Sequence, residues 1–351
     1  MQKRASIYPL YGLSDSLDSE PFDRSSLPFH IYKNVAIEPV AEILKISLEQ
    51  WKKWSPREFE KQNSVRYAMV NRYEPELAFV GGTDDESSNQ LLHHLAACLS
   101  LIRPMRQPAG LMQGNFKEDG TLDIMHAEHP YGFDVPTNQK LFTLRMRDAE
   151  DLRLLAPLFM KAMAPPIGKF QMAVQFHDAG HLLAGGFWKA KYLVWCSALE
   201  ALFTSQHPQH KGGLVAKSRI RWFLGDATSI YPPGELSESD GPASMTIGGV
   251  IEDVYRLRNM LAHGDQVPDE DMMRLHRRGI SGTPVYFVEG MFEAVSFIIR
   301  NSLLRILRED LLRHFAHGDA ANTYFANHKL ALDDLRPSKR RIVREPQCSS
   351  Q

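Results

Sequence analysis

Between residues 247 and 261 the apolar side chains fall in a single stripe. Ile247, Val250, Ile251, Val254, Leu257 and Leu261 recur at three- and four-residue spacings, which predicts an amphipathic helix. Gly264 follows as a terminator, because glycine takes the left-handed conformation without a Cβ penalty. His263 then lies at the helix C-terminus, beside carbonyls that lack intrahelical partners. The rest of the second half reads as mostly helical.

The first half reads differently. Phe29–Ile37 alternates and is β-branched, so it predicts a strand, as do Val65–Val70, Leu77–Val80 and Lys140–Arg145. Gly110–Tyr131 predicts two strands around a Glu118-Asp119-Gly120 turn. Pro39 opens a predicted helix to about Trp54, Thr83 opens another to about Arg103, and Asp148 caps a third to about Met163. Residues 1–28, rich in Ser, Asp and Pro, read as an irregular lead-in.

Pro165-Pro166 marks the change of pattern. The expectation is an α+β chain: an N-terminal α/β domain over residues 1–164, a helical bundle over 165–336, and a disordered basic tail over 337–351. Residues 225–245 form a long polar connector just before the Ile247 helix.

Composition narrows the function classes. The chain has 351 residues, 43% hydrophobic and 24% charged, which is ordinary for a soluble protein and long enough for two domains. A formal net charge of −1 leaves no global field for nucleic acid or membrane, so any RNA contact needs a local basic patch. No apolar run reaches spanning length, and Met1–Leu17 lacks the apolar core of a signal peptide. Cys98, Cys196 and Cys348 are too few and too scattered for a disulfide framework or a cysteine metal site, and fit a reducing cytoplasm.

The polar residues of interest on the Ile247 helix are Arg258, Asn259 and His263. Asn259 and His263 are four apart and share a face. Arg258 and His263 are five apart, about 140° on a continuous helix, so one straight helix does not aim both at one atom. A break at Gly264, or a second copy meeting the first across a two-fold axis, would bring them together. The plain alternatives are structural. Arg258 is near Asp253 and Glu252 for a salt bridge, His263 suits a helix C-terminus as a capping cation, and Asn259 suits a solvated position.

The string Arg258-Asn259-Met260-Leu261-Ala262-His263-Gly264 resembles the signature of the HEPN superfamily, an arginine followed at short distance by a histidine. The flanking segments resemble its Apea-like branch: Tyr192–Phe203, containing Ala198-Leu199-Glu200-Ala201-Leu202-Phe203, then the basic Lys217–Leu224, then the long helix near Phe292–Leu312. The resemblance spans roughly residues 165–330 and leaves the N-terminal half outside. A second arginine–histidine pair, Arg308 and His314, lies on what reads as an ordinary helix and lacks that context.

The resemblance implies metal-independent endoribonuclease chemistry with no cofactor, in a homodimer acting on RNA. His263 would move a proton at the ribose 2′-oxygen or the leaving oxygen. Arg258 would bind the phosphate through its bidentate fork, and Asn259 would hold His263 or the phosphate. Lys217, Arg219 and Arg221, next to Trp222 and Phe223, make a candidate RNA-binding stripe, and Arg274, Arg277 and Arg278 a second cluster. The alternative is a solvated helix face with its aromatics in the core.

Two other classes compete. HEPN-like domains also serve as non-catalytic dimerising or ligand-binding modules. Separately, His177-Asp178 resembles the paired ligands of HD-type metal phosphohydrolases, which need a further upstream histidine, for which His126 and His129 are available, and a downstream aspartate. His207 and His210 form a weaker metal pair.

Overall fold

The computed structural model describes residues 4–10, 27–39, 45, 67–73, 83–103, 111–127, 146–183, 187–204, 212–230, 246–267, 275–276 and 285–330. Strands β1 (Arg4–Leu10), β2 (Phe29–Tyr32), β3 (Val35–Pro39), β4 (Tyr67–Tyr73), β5 (Met112–Phe116) and β6 (Leu122–Ala127) form one antiparallel sheet in the order β2-β3-β4-β1-β5-β6. Helices α1 (Thr83–Ile102) and α2 (Met146–Ala162) belong to this half. The rest is mainly helical: α3 (Lys169–Leu182), α4 (Trp188–Phe203), α5 (Gly212–Leu224), α6 (Ile247–His263), α7 (Phe287–Arg308), a 3₁₀ turn (Leu312–Phe315) and α8 (Gly318–Ala326). A two-residue pair, β7 (Leu275–His276) and β8 (Val285–Tyr286), lies between α6 and α7. The fold is therefore mixed α+β, with an antiparallel sheet first and a helical region second.

Strand β1 corrects the irregular lead-in. It lies inside the sheet between β4 and β5, with Ala5 and Ile7 wholly buried. Pro9 argues against a central strand from sequence, because it has no N–H for a ladder. The sheet accommodates it because β5 pairs β1 only from Arg4 to Ile7, so among the described residues β4 is the sole strand neighbour of Pro9. The strand expected over Phe29–Ile37 is a tight hairpin, turned at Lys33, whose φ is 50°.

The period of two sorts the side chains. Tyr8, Leu10, Ile37 and Met69 enter the larger core with Leu92, Leu95 and Leu99 of α1. Ala5, Ile7, Ala68, Val70, Met112, Leu122 and Ile124 form a second cluster on the other face. A polar track crosses from sheet to α1: Asn71 donates to Ser88 at 2.8 Å, and Ser6 and Gln113 donate to Asn89 at 3.2 and 3.0 Å. Satisfying these buried groups fixes the register of α1 over β1, β4 and β5. At the β5–β6 hairpin, Gly120 has φ +78° and Asp119 accepts from the Thr121 amide at 2.8 Å, as the turn chemistry predicts.

The larger core continues past Pro165-Pro166 into the helices, where Phe159 meets Phe170 edge-on at 6.1 Å. Helix α7 packs against α1 and α2 as well as against α3, α4, α5 and α6. Gln171 ties down the connection: it accepts from the Gly168 amide at 2.9 Å and donates to the Ala164 carbonyl at 2.7 Å. Pro39, expected to open a helix, instead ends β3 opposite Tyr67; apart from Lys45 the rest of that expected helix to Trp54, the strands at 77–80 and 140–145, most of the 225–245 connector and the 337–351 tail lie outside the described residues. Among the described residues no helix is long and apolar enough to cross a membrane.

Candidate functional site at the end of helix α6

Helix α6 forms as its pattern predicts. Ile247, Val250, Ile251, Val254, Leu257 and Leu261 are all buried. Thr246 caps its start by accepting from the Gly249 amide at 3.3 Å. At its end Gly264 turns left-handed with φ 76°, the Asp265 amide reaches the Met260 carbonyl at 2.9 Å, and the Gly264 amide reaches Leu261 at 3.3 Å. This is a Schellman closure, and it satisfies the Met260 and Leu261 carbonyls with backbone donors rather than with His263. The imidazole of His263 is exposed and makes no hydrogen bond or ion pair among the described residues. Asn259, one turn earlier on the same face, is also exposed.

Arg258 points elsewhere. Its Nη2 meets Glu200 Oε1 of α4 at 2.9 Å, with the two side chains 30% and 26% exposed. Its Nη1 donates to Asn259 Oδ1 at 3.3 Å. The carboxylates expected beside it are taken by other cations, Glu252 by Lys217 and Asp253 by Arg256 at 3.4 Å. Glu200 was legible only as a charge inside the apolar Tyr192–Phe203 run; its pairing with Arg258 was not. Beneath this ion pair lie Cys196 and Tyr255, both buried, and burial raises the Cys196 thiol far above its ordinary range.

The basic stripe of α5 does not exist as a patch. Lys217 bonds Glu252 of α6, and Arg221 grips Asp226 with both edges, at 2.7 and 3.2 Å. Arg219 is wholly buried. It donates to the Phe203 carbonyl at 3.0 Å, to Asn322 Oδ1 at 3.0 Å and to the Leu330 carbonyl at 3.4 Å, and its guanidinium covers the Phe325 ring at 4.6 Å. Period 3.6 turns it inward while its neighbours face out. Arg219 is therefore a core cross-link, not a substrate contact. Beside it, Lys169 donates to the Ala201 carbonyl at 2.6 Å and to that of Thr204, and burial followed by the nearby Arg219 draws its ammonium down to about 8. Two cations thus close the C-terminal end of α4, where the helix dipole favours them. The second basic cluster, Arg274, Arg277 and Arg278, lies outside the described residues, as do His207 and His210.

His177 packs in the core, whereas the Asp178 side chain beside it is 36% exposed. The His177 ring is fully buried, stacks on Trp195 at 5.9 Å, and its Nε2 lies 3.3 Å from His181 Nε2. Trp195 donates its indole N–H to the His177 carbonyl at 3.0 Å. Gly180 makes room for this, since a Cβ there would come within 2.3 Å of Trp195 Nε1. Burial first, then His177, Lys191 and Arg300, hold His181 well below the usual imidazole range. Among the described residues no group of three His, Cys, Asp or Glu side chains is placed to hold a metal ion. His126 belongs to β6, and His129 lies outside the described residues. The pair Arg308 and His314 also separates: Arg308 ends α7 and reaches Asp151 at 3.4 Å, whereas His314 sits in the 3₁₀ turn against Tyr324.

No family model matches the chain, and neither a curated protein nor a solved structure matches it.

Proposed function

We propose that the chain is a HEPN-type endoribonuclease of the Apea-like kind, cleaving RNA without a metal at a site built from Arg258, Asn259 and His263 of two copies. The observation that carries this reading is the end of α6. A backbone closure satisfies the Met260 and Leu261 carbonyls, and His263 beside it is exposed and unengaged among the described residues. A histidine that merely capped the helix would point back at those carbonyls. Further support comes from the helix order, since the segments that resemble the family form α4, α5, α6 and α7 in sequence, mutually packed.

In this reading the RNA phosphate sits on the guanidinium of Arg258, whose planar fork matches two oxygens. The ribose 2′-oxygen attacks the adjacent phosphorus, the 5′-oxygen leaves, and a 2′,3′-cyclic phosphate results. One imidazole removes the 2′-proton and another delivers a proton to the leaving oxygen. Charge growing on the phosphoryl oxygens is stabilised by the arginines. Within one copy Arg258 leans onto α4 while His263 faces solvent, so two copies related by a two-fold axis supply the converging set.

A non-catalytic dimerising or ligand-binding module is favoured by a different observation. Arg258, Lys217 and Arg221 already have carboxylate partners in the free chain. One experiment separates the two: incubate the full chain with end-labelled RNA in EDTA and identify the product ends. Cyclic phosphate termini support the nuclease, and intact RNA supports the module.

A further inference from the structure

Tyr255 lies one turn before Arg258 on α6 and is 2% exposed. Its ring packs against the start of α5, where a Cβ on Gly213 would come within 3.2 Å of Cδ1. Its hydroxyl is buried and makes no hydrogen bond among the described residues. Tyr192, in the same interface and equally buried, donates to the Val254 carbonyl at 3.0 Å. The ionisable groups around the Tyr255 hydroxyl are Tyr192, Cys196 and Glu200 from α4 and Arg258 from α6. Burial first, then Cys196 and Glu200, push its pKa well above the ordinary phenol value, so it remains an O–H donor at any working pH. Buried hydroxyls in native proteins are nearly always paired, and an orphan beside a functional cation calls for an explanation.

We propose that Tyr255 is a positioning residue for the anion site at Arg258, donating its hydroxyl to the Glu200 carboxylate when a phosphodiester takes the guanidinium. The inference rests on the reading of Arg258 as a phosphate ligand. In the free chain Arg258 holds Glu200 at 2.9 Å. A phosphodiester offers two oxygens to the fork and draws the guanidinium away from Glu200. With Arg258 on it the Glu200 side chain is 26% exposed, and it lies one turn after the buried Cys196 on α4, while the buried Tyr255 lies one turn before Arg258 on α6. A carboxylate that loses its cation favours a new donor, and the unpaired phenol one turn from Arg258 is placed to supply it. No proton is transferred and no bond is made or broken. The hydroxyl therefore stabilises the liganded state and contributes nothing to the free one.

The test compares wild type with Tyr255→Phe in EDTA at low salt. The probe is a fluorescent 2′-O-methyl RNA oligonucleotide, which cannot cyclise, with inorganic phosphate as competitor. Thermal unfolding is measured without ligand. Tyr255→Phe is expected to unfold at the wild-type temperature or slightly above it, and to bind the oligonucleotide about tenfold or more weakly. In a Glu200→Ala background the same substitution should have no further effect on affinity. Equal affinity of Tyr255→Phe and wild type overturns the proposal. So does a loss of affinity that persists undiminished without Glu200. Wild type that binds the oligonucleotide but leaves ordinary RNA intact removes the nuclease reading while the Tyr255 comparison still decides its own case. Wild type that binds neither RNA nor phosphate overturns both.

Discussion

Replacing Arg219 by alanine should unfold the helical region far more readily than a surface arginine would. The side chain is wholly buried and donates to the Phe203 carbonyl, Asn322 and the Leu330 carbonyl, joining the end of α4 to α8 and the segment after it. Hydrogen bonds to a charged group contribute roughly 1.5–3 kcal/mol each, but a network is not additive. Part of the gross gain is offset by the cost of desolvating the guanidinium, which draws its pKa down to about 10. Removing it leaves the Phe203 and Leu330 carbonyls without this donor and opens a cavity beside Phe325, for a net loss of about 3–5 kcal/mol. Lysine in its place has one compact ammonium and cannot reach three acceptors at once, so Arg219→Lys should recover less than half of that. The assay is thermal or urea unfolding followed by circular dichroism, beside RNA binding at two salt concentrations. For a chain of this size a drop of several degrees is expected for alanine. A variant as stable as wild type but with weaker, less salt-dependent RNA binding would refute the assignment and restore Arg219 to a binding role.

Acid should loosen the packing of α3 on α4 and α7. His181 and His94 are both held below the ordinary imidazole value, in each case chiefly by burial. The unfolded chain therefore takes up protons first. Their stabilising contribution is complete above about pH 6.5 and is lost as pH falls below it, by up to about 1.4 kcal/mol per histidine per pH unit until the folded group titrates. Unfolding temperatures from pH 7.5 to 5.0 should fall more steeply for wild type than for His181→Gln, and parallel curves would contradict the assignment. At Gly264, φ is +76° and a Cβ would meet nothing within 4 Å, so Gly264→Ala carries a backbone cost alone, about 1–2 kcal/mol, readable as a small fall in unfolding temperature. An unchanged temperature would mean the left-handed closure is not held in solution.

What the sequence disclosed follows from which forces act locally. The stripe and the C-terminal end of helix α6 were legible, because the apolar spacing and the terminal glycine are local signals; the Thr246 cap at its start was not read. The β5–β6 hairpin was legible for the same reason, through Asp119 and Gly120. Strand β1 was not, since its place between β4 and β5 depends on partners more than 50 residues away. Around the candidate site, the residue types on α6 were visible but their partners were not. Glu200 reaches Arg258 across two helices, a distance no spacing rule encodes. Arg219 misled because a basic stretch hides which of its members period 3.6 turns inward. His177-Asp178 left two readings open because a metal-binding histidine and a core histidine stacked on tryptophan share one sequence pattern.

The central claim is that His263 does chemistry rather than structure, and cleavage by His263→Ala tests it most directly. Wild type, His263→Ala and Arg258→Ala are incubated with RNA in EDTA, and the initial rate and the unfolding temperature are measured on the same preparations. His263 is exposed and its helix end is closed by backbone amides, so its removal should leave the unfolding temperature nearly unchanged. The cleavage rate should fall by about 10²–10⁴-fold, the usual worth of a general acid–base group. Cleavage by His263→Ala at the wild-type rate would contradict the account.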